Sequence, residues 1–168
     1  MKDVLIVYAS KYGATRGIAE KIAEVLRNEG LEAVLAEAGE KLDPAAYRAI
    51  LVGSAVYIGK WQKKAVQFLK RHETVLAGKM TWFFSSGPTG EGDPVTILQG
   101  WEFPQALKEI SERIRPAGIA LFHGAVDMEK LSGLHRFMVK KINAPTGDFR
   151  DWKQISEWAA GIAAEIKK

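Results

Sequence analysis

The chain has 168 residues, 47% of them hydrophobic and 26% charged, a balance that fits one globular domain, residues 1–168, with a sizeable core. It contains no cysteine, which excludes disulfides, thiolate nucleophiles and cysteine-held metals and fits a reducing cytoplasm. The net charge of +4 suits either an ordinary, mildly basic protein or one with an acidic partner, and no zinc finger, RNP-type aromatic motif or Lys/Arg block points to nucleic acid.

Residues 4–8, "VLIVY", are a continuous apolar run, as in a strand covered on both faces. The run is too short for a signal peptide, and no apolar stretch approaches the roughly 20 residues that span a bilayer. Residues 15–29 carry Ile18, Ile22, Val25 and Leu26 with helical period and stop at Asn28 to Gly30. Residues 31–37 read as a second strand, "LDPAAY" as a turn, and residues 49–54 as a third, buried strand. A helix is expected over 62–72 and a fourth strand over 79–85. The Gly- and Pro-rich residues 86–101 read as a long loop. Then come a helix over 104–115, a fifth strand over 119–122, a short amphipathic helix over 131–142 and a loop over 143–151. Asp151 caps a last helix with the apolar face Ile155, Trp158, Ala159, Ile162 and Ile166. Strand–helix alternation of this kind gives an α/β fold, a parallel sheet with helices on both faces. Its ligands sit at the carboxyl ends of the strands.

The loop after the first strand, Ser10, Lys11, Tyr12, Gly13, Ala14 and Thr15, is suited to an anion. It opens a helix where backbone N–H groups are unpaired, with two hydroxyls and a glycine alongside. An ordinary Ser/Thr-capped helix has the same appearance. The Walker and G-x-G-x-x-G patterns are absent, and the strand ends lack the carboxylates of a phospho-acceptor domain. The remaining candidate is the terminal phosphate of a cofactor such as FMN, whose ring needs an apolar slot at the same sheet edge. Ser54, Ala55, Val56, Tyr57, Ile58, Gly59 and Trp61 follow the third strand, with Tyr57 and Trp61 expected to stack. Ser85, Ser86 and Gly87 follow the fourth and offer close backbone approach. No residue stands out as catalytic, and no histidine has metal-ligand spacing.

The segments "SKYGATRGIAEKIA", "VGSAVYIGKW", "WFFSS", "LFHGAV", "HRFMVKKI" and "DFRDWKQISEWA" together resemble the flavodoxin superfamily, and within it the menaquinone-dependent protoporphyrinogen oxidase group. The resemblance implies a flavodoxin-like, doubly wound five-stranded parallel sheet in the order 2-1-3-4-5. It also implies FMN as cofactor and removal of hydrogens from a porphyrinogen-like substrate, with electrons passed to a quinone. A flavodoxin-type electron carrier, serving a redox protein without a substrate of its own, is the alternative. Two segments depart from the group: "DMEKLSG" follows "LFHGAV", and a short "NAPTGD" follows the basic helix. In that helix Leu131, Leu134, Phe137, Met138 and Ile142 can share one face. It is either a core-facing helix with a solvated basic side or a surface helix meeting anionic lipid at the inner face of the cell membrane. Arg136, Lys140 and Lys141 are candidates for the membrane or for substrate carboxylates.

Overall fold

A computed structural model describes all 168 residues. In chain order the elements are β1 Lys2–Ala9, α1 Ala14–Asn28, β2 Ala33–Glu37, β3 Tyr47–Tyr57, β4 Lys60–Trp61, α2 Lys63–Ala77 and β5 Met80–Ser86. They continue with α3 Pro94–Ile97, α4 Lys108–Ile114, β6 Gly118–Phe122, β7 Ala125–Val126, α5 Gly133–Lys141, β8 Gly147–Asp148 and α6 Trp152–Lys167. The parallel sheet runs β2-β1-β3-β5-β6, the expected order with a hairpin strand, β4, inserted before the fourth long strand.

The continuous apolar runs follow from burial on both sides. In β1, Val4, Ile6 and Tyr8 pack under α1 and α6, while Leu5, Val7 and Ala9 pack under α2 and α4. The same alternation sends Trp82 and Phe84 of β5 to one layer and Phe83 to the other, and all three are essentially inaccessible. Removing either Phe ring would cost about 3–5 kcal/mol. Gly53 pairs with Phe84 in register, and a Cβ at Gly53 would lie 2.1 Å from the Phe84 ring. This glycine is there to receive a core aromatic.

Several expectations change. β3 continues to Tyr57, past the expected end at residue 54, because its last two residues pair with β4 in a tight hairpin. The loop over 86–101 contains α3, capped by the Asp93 carboxylate. Helix 104–115 starts as a single 3-10 turn, Gln105–Leu107, and becomes α-helical only at Lys108. Beyond β6 the chain makes a two-stranded antiparallel stem, β7 with β8, that carries α5 at its far end. No helix is long and apolar enough to cross a membrane.

Candidate functional site

The turn between β1 and α1 places Gly13 at the helix N-cap, with φ 94°, and no side chain caps the free N–H groups of the first turn. Ser10 Oγ accepts the Gly13 N–H at 3.0 Å, which closes the loop on itself. Thr15 is 1% exposed, and its hydroxyl has no hydrogen-bond partner. A buried hydroxyl left in this way costs about 1–3 kcal/mol. An acceptor-rich anion against this turn would satisfy the hydroxyl and the free amides together.

Beside the turn lies a cavity of about 930 Å³. Its floor and sides come from three loops at the carboxyl edge of the sheet: Tyr12 to Ala14, Val56 to Gly59, and Gly87 to Thr89. Gly87 packs against Val56, and Gly124 against the Gly87 carbonyl, so the ends of β3, β5 and β6 converge closely. Ile58 and Gly59 form the two-residue hairpin turn with φ of 52° and 69°, the two positive values of a type I′ turn. For an isoleucine this is a strained state, costing on the order of 1–3 kcal/mol. It stands at the cavity mouth with its side chain 77% exposed.

The roof is α5. None of its residues is fully buried; His135, Met138 and Val139, with Leu131 just before the helix, face inward, and the exposed Ile142 borders the cavity. The His135 ring is stacked on Tyr57, with centroids 5.1 Å apart and planes 14° apart, and its Nδ1 is hydrogen-bonded to the Tyr12 hydroxyl. Ser132, which caps α5 through the His135 N–H, donates its own N–H to the Tyr12 oxygen at 3.3 Å. Burial, and then the nearby Lys11 charge, hold the His135 imidazole below its ordinary pKa. Burial likewise pushes the Tyr57 phenol up to about 12.

A model of the flavodoxin domain family matches residues 5–153. The chain belongs to the flavodoxin domain family. Among curated relatives, protoporphyrinogen IX dehydrogenase (quinone) of Escherichia coli is 24% identical over 95% of this chain and 93% of its own. The protein of that name in Leishmania major is 23% identical over 95% of this chain and 74% of its own. Among solved structures, a flavodoxin from the domain Archaea superposes with TM-score 0.65 at 17% identity over the whole of both chains.

This flavodoxin-family chain brings only part of the expected site to the cavity. Tyr12, Gly13, Ala14, Val56, Tyr57, Ile58, Gly59 and Gly87 line it; Ser10, Lys11 and Thr15 belong to the neighbouring turn. Trp61 does not reach it. Its indole is buried among Phe83 and Phe103, and its N–H donates to Ser85 Oγ at 2.8 Å. The β4 hairpin turns Trp61 inward, and of the two aromatics expected to stack only Tyr57 borders the cavity, with one face of its ring taken by His135. Ser54 Oγ is engaged by the Gln62 N–H and the Ala55 carbonyl, both at 2.8 Å, and so secures that hairpin. Ser86 and Ala55 are buried and do not line the cavity.

The basic helix also departs from expectation. Leu131 and Met138 lie toward the cavity, whereas Leu134, Phe137 and Ile142 are 68%, 62% and 73% exposed, Ile142 bordering the cavity, so the five apolar residues do not share one face. Arg136, Lys140 and Lys141 are exposed and outside the lining; Arg136 is engaged with the Met128 carbonyl. The cations that do line the cavity are Lys130 and Arg150. Arg150 was not legible in the sequence as a site residue. The one signal was Gly17, a glycine inside a helix, where it costs about 1 kcal/mol relative to alanine.

Proposed function

We propose that this chain is an FMN-dependent oxidoreductase acting on a large apolar hydrogen donor of the porphyrinogen type and passing electrons to a quinone or a redox protein. The observation that carries the reading is the unpartnered, buried Thr15 hydroxyl at the uncapped start of α1. The redox chemistry would be that of the FMN ring. The chain's part is to hold and enclose it. The first-turn amides and Thr15 receive the phosphate. Tyr57 and the backbone of Val56 to Gly59 and Gly87 to Thr89 flank the ring. Ile97, Leu98 and Trp101 with the inner side of α5 exclude water and offer an apolar wall to a flat co-substrate. The names of the relatives in Escherichia coli and Leishmania major support this donor and this acceptor.

A roofed cavity of this size favours an enzyme over a carrier, which would present its ring edge to a partner protein. On the outer side of α5, Leu134 and Phe137 stand beside Lys140 and Lys141. That pairing suits peripheral contact with anionic lipid, from which a quinone would be reached.

The test is a visible-absorbance titration of the purified chain with FMN, followed by anaerobic addition of protoporphyrinogen and then a menaquinone analogue. Flavin bleaching by the first and return of colour with the second is the expected result. A yellow complex that protoporphyrinogen does not reduce supports the carrier, and no complex at micromolar FMN removes the flavin reading.

A further inference from the structure

We propose that Arg150 is the residue through which this chain selects a phosphorylated flavin over its unphosphorylated form. The inference rests on the flavin reading above. Arg150 follows β8 and reaches back across the sheet edge to the first turn of α1. Its Nε–H and Nη2–H donate to the two Asp148 oxygens at 2.9 and 2.7 Å, and its Nη1–H donates to the Ala14 carbonyl at 3.2 Å. The guanidinium also lies 4.6 Å over the Trp152 ring, and the side chain is 18% exposed. It is thus held from three sides beside the turn that has free amides, on the wall it shares with Gly13 and Ala14.

A guanidinium has five N–H donors. Three are engaged by Asp148 and Ala14, which leaves one on each terminal nitrogen. The Asp148 carboxylate balances the guanidinium charge, so what the pair offers a phosphate monoester, at about −1.5 to −2 near neutral pH, is the two remaining N–H donors rather than a net positive charge. Arginine matches phosphate geometry in a way that lysine does not.

Gly17 fits this placement of the guanidinium. A Cβ there would lie 2.5 Å from Arg150 Nη1 and no closer than 3.7 Å to Trp152. The only group that needs residue 17 to be glycine is therefore the guanidinium. A Gly17→Ala substitution would displace the far end of a flexible side chain and leave the core untouched. Arg16, an exposed cation in the first turn of α1, is paired with Glu20 at 3.0 Å and lies outside the cavity lining; it supplies the control.

The experiment is titration of FMN and of riboflavin, by quenching of flavin fluorescence at low salt, into the wild type and variants whose unfolding midpoints are checked first. Arg150→Gln is expected to weaken FMN by at least about tenfold, the scale of one charge-assisted hydrogen bond, with riboflavin nearly unchanged. Arg150→Lys is expected to fall between, and Arg16→Gln to follow the wild type. Gly17→Ala is expected to weaken FMN selectively, but to add nothing once Arg150 is glutamine. If Arg150→Gln weakens both ligands equally, or Gly17→Ala adds its full effect in that background, Arg150 is only a clasp for the fold and the proposal is overturned. If the wild type binds neither flavin, the reading beneath it fails first and is recognised as such.

Discussion

Thr15→Val separates a binding turn from an ordinary capped helix because its two effects have opposite signs. The substitution keeps the side chain's shape and replaces a hydroxyl that has no partner by a methyl group. At a position 1% exposed, that removes a penalty of about 1–3 kcal/mol, while threonine and valine differ little in helix propensity. The ligand-free protein should therefore become more stable. For a chain of this size each kcal/mol moves the thermal midpoint by ~2–4 °C. With FMN present the order should reverse in part, since the hydroxyl is expected to find its partner in the phosphate. At a hundredfold excess over the dissociation constant the wild type gains about 2.7 kcal/mol, whereas a variant binding tenfold more weakly gains only about 1.4 kcal/mol. Thermal or urea unfolding with and without FMN measures all four quantities. A Thr15→Val protein that is less stable without ligand, or that is stabilised by FMN as much as the wild type, would refute the argument.

Three further outcomes are expected. Gly53→Ala should destabilise by about 3 kcal/mol or more, because the new methyl meets a Phe84 ring with no room to retreat; combined with Phe84→Leu it should cost less than the sum, as read by urea unfolding. Burial and the Arg71 charge hold His72 below its ordinary value of 6.5, so its contribution is complete above that pH and is lost as pH falls through the lowered value. The carboxylates of Asp3, Glu73, Asp93 and Asp148 are lowered instead from 3.8 or 4.5 and act only in stronger acid. His72→Gln should accordingly reduce the decline in stability as pH falls below about 6.5, the rest of it coming from His135, which is lowered as well, and an unchanged slope would exclude His72 as a source. On phosphatidylglycerol vesicles, Phe137→Glu should abolish cosedimentation, and Lys140→Gln with Lys141→Gln should weaken it by about thirtyfold, at about 1 kcal/mol per charge; binding that survives both would place lipid contact elsewhere.

The sequence by itself determined the sheet. Runs such as "VLIVY" and "WFF" are apolar at every position because each alternate residue meets a different helical layer, and that demand is local and periodic. It also offered the candidate anion turn, whose ingredients lie within six consecutive residues, Ser10 to Thr15, and which the fold sets at the uncapped start of α1. Where the chain folds back on itself, pattern was insufficient. Trp61 reads as a stacking aromatic, but the strained Ile58–Gly59 turn rotates it into the core and gives its N–H to Ser85, a contact between residues 24 positions apart. The apolar residues of α5 read as one face, but its position over a cavity divides them between the inside and the solvent. Arg150 acquires its place only because the β7–β8 stem carries it to a helix that began 136 residues earlier. Periodicity records which neighbours along the chain share a face. Which distant loops meet at the sheet edge is set by packing of the whole domain, and there the candidate site was completed.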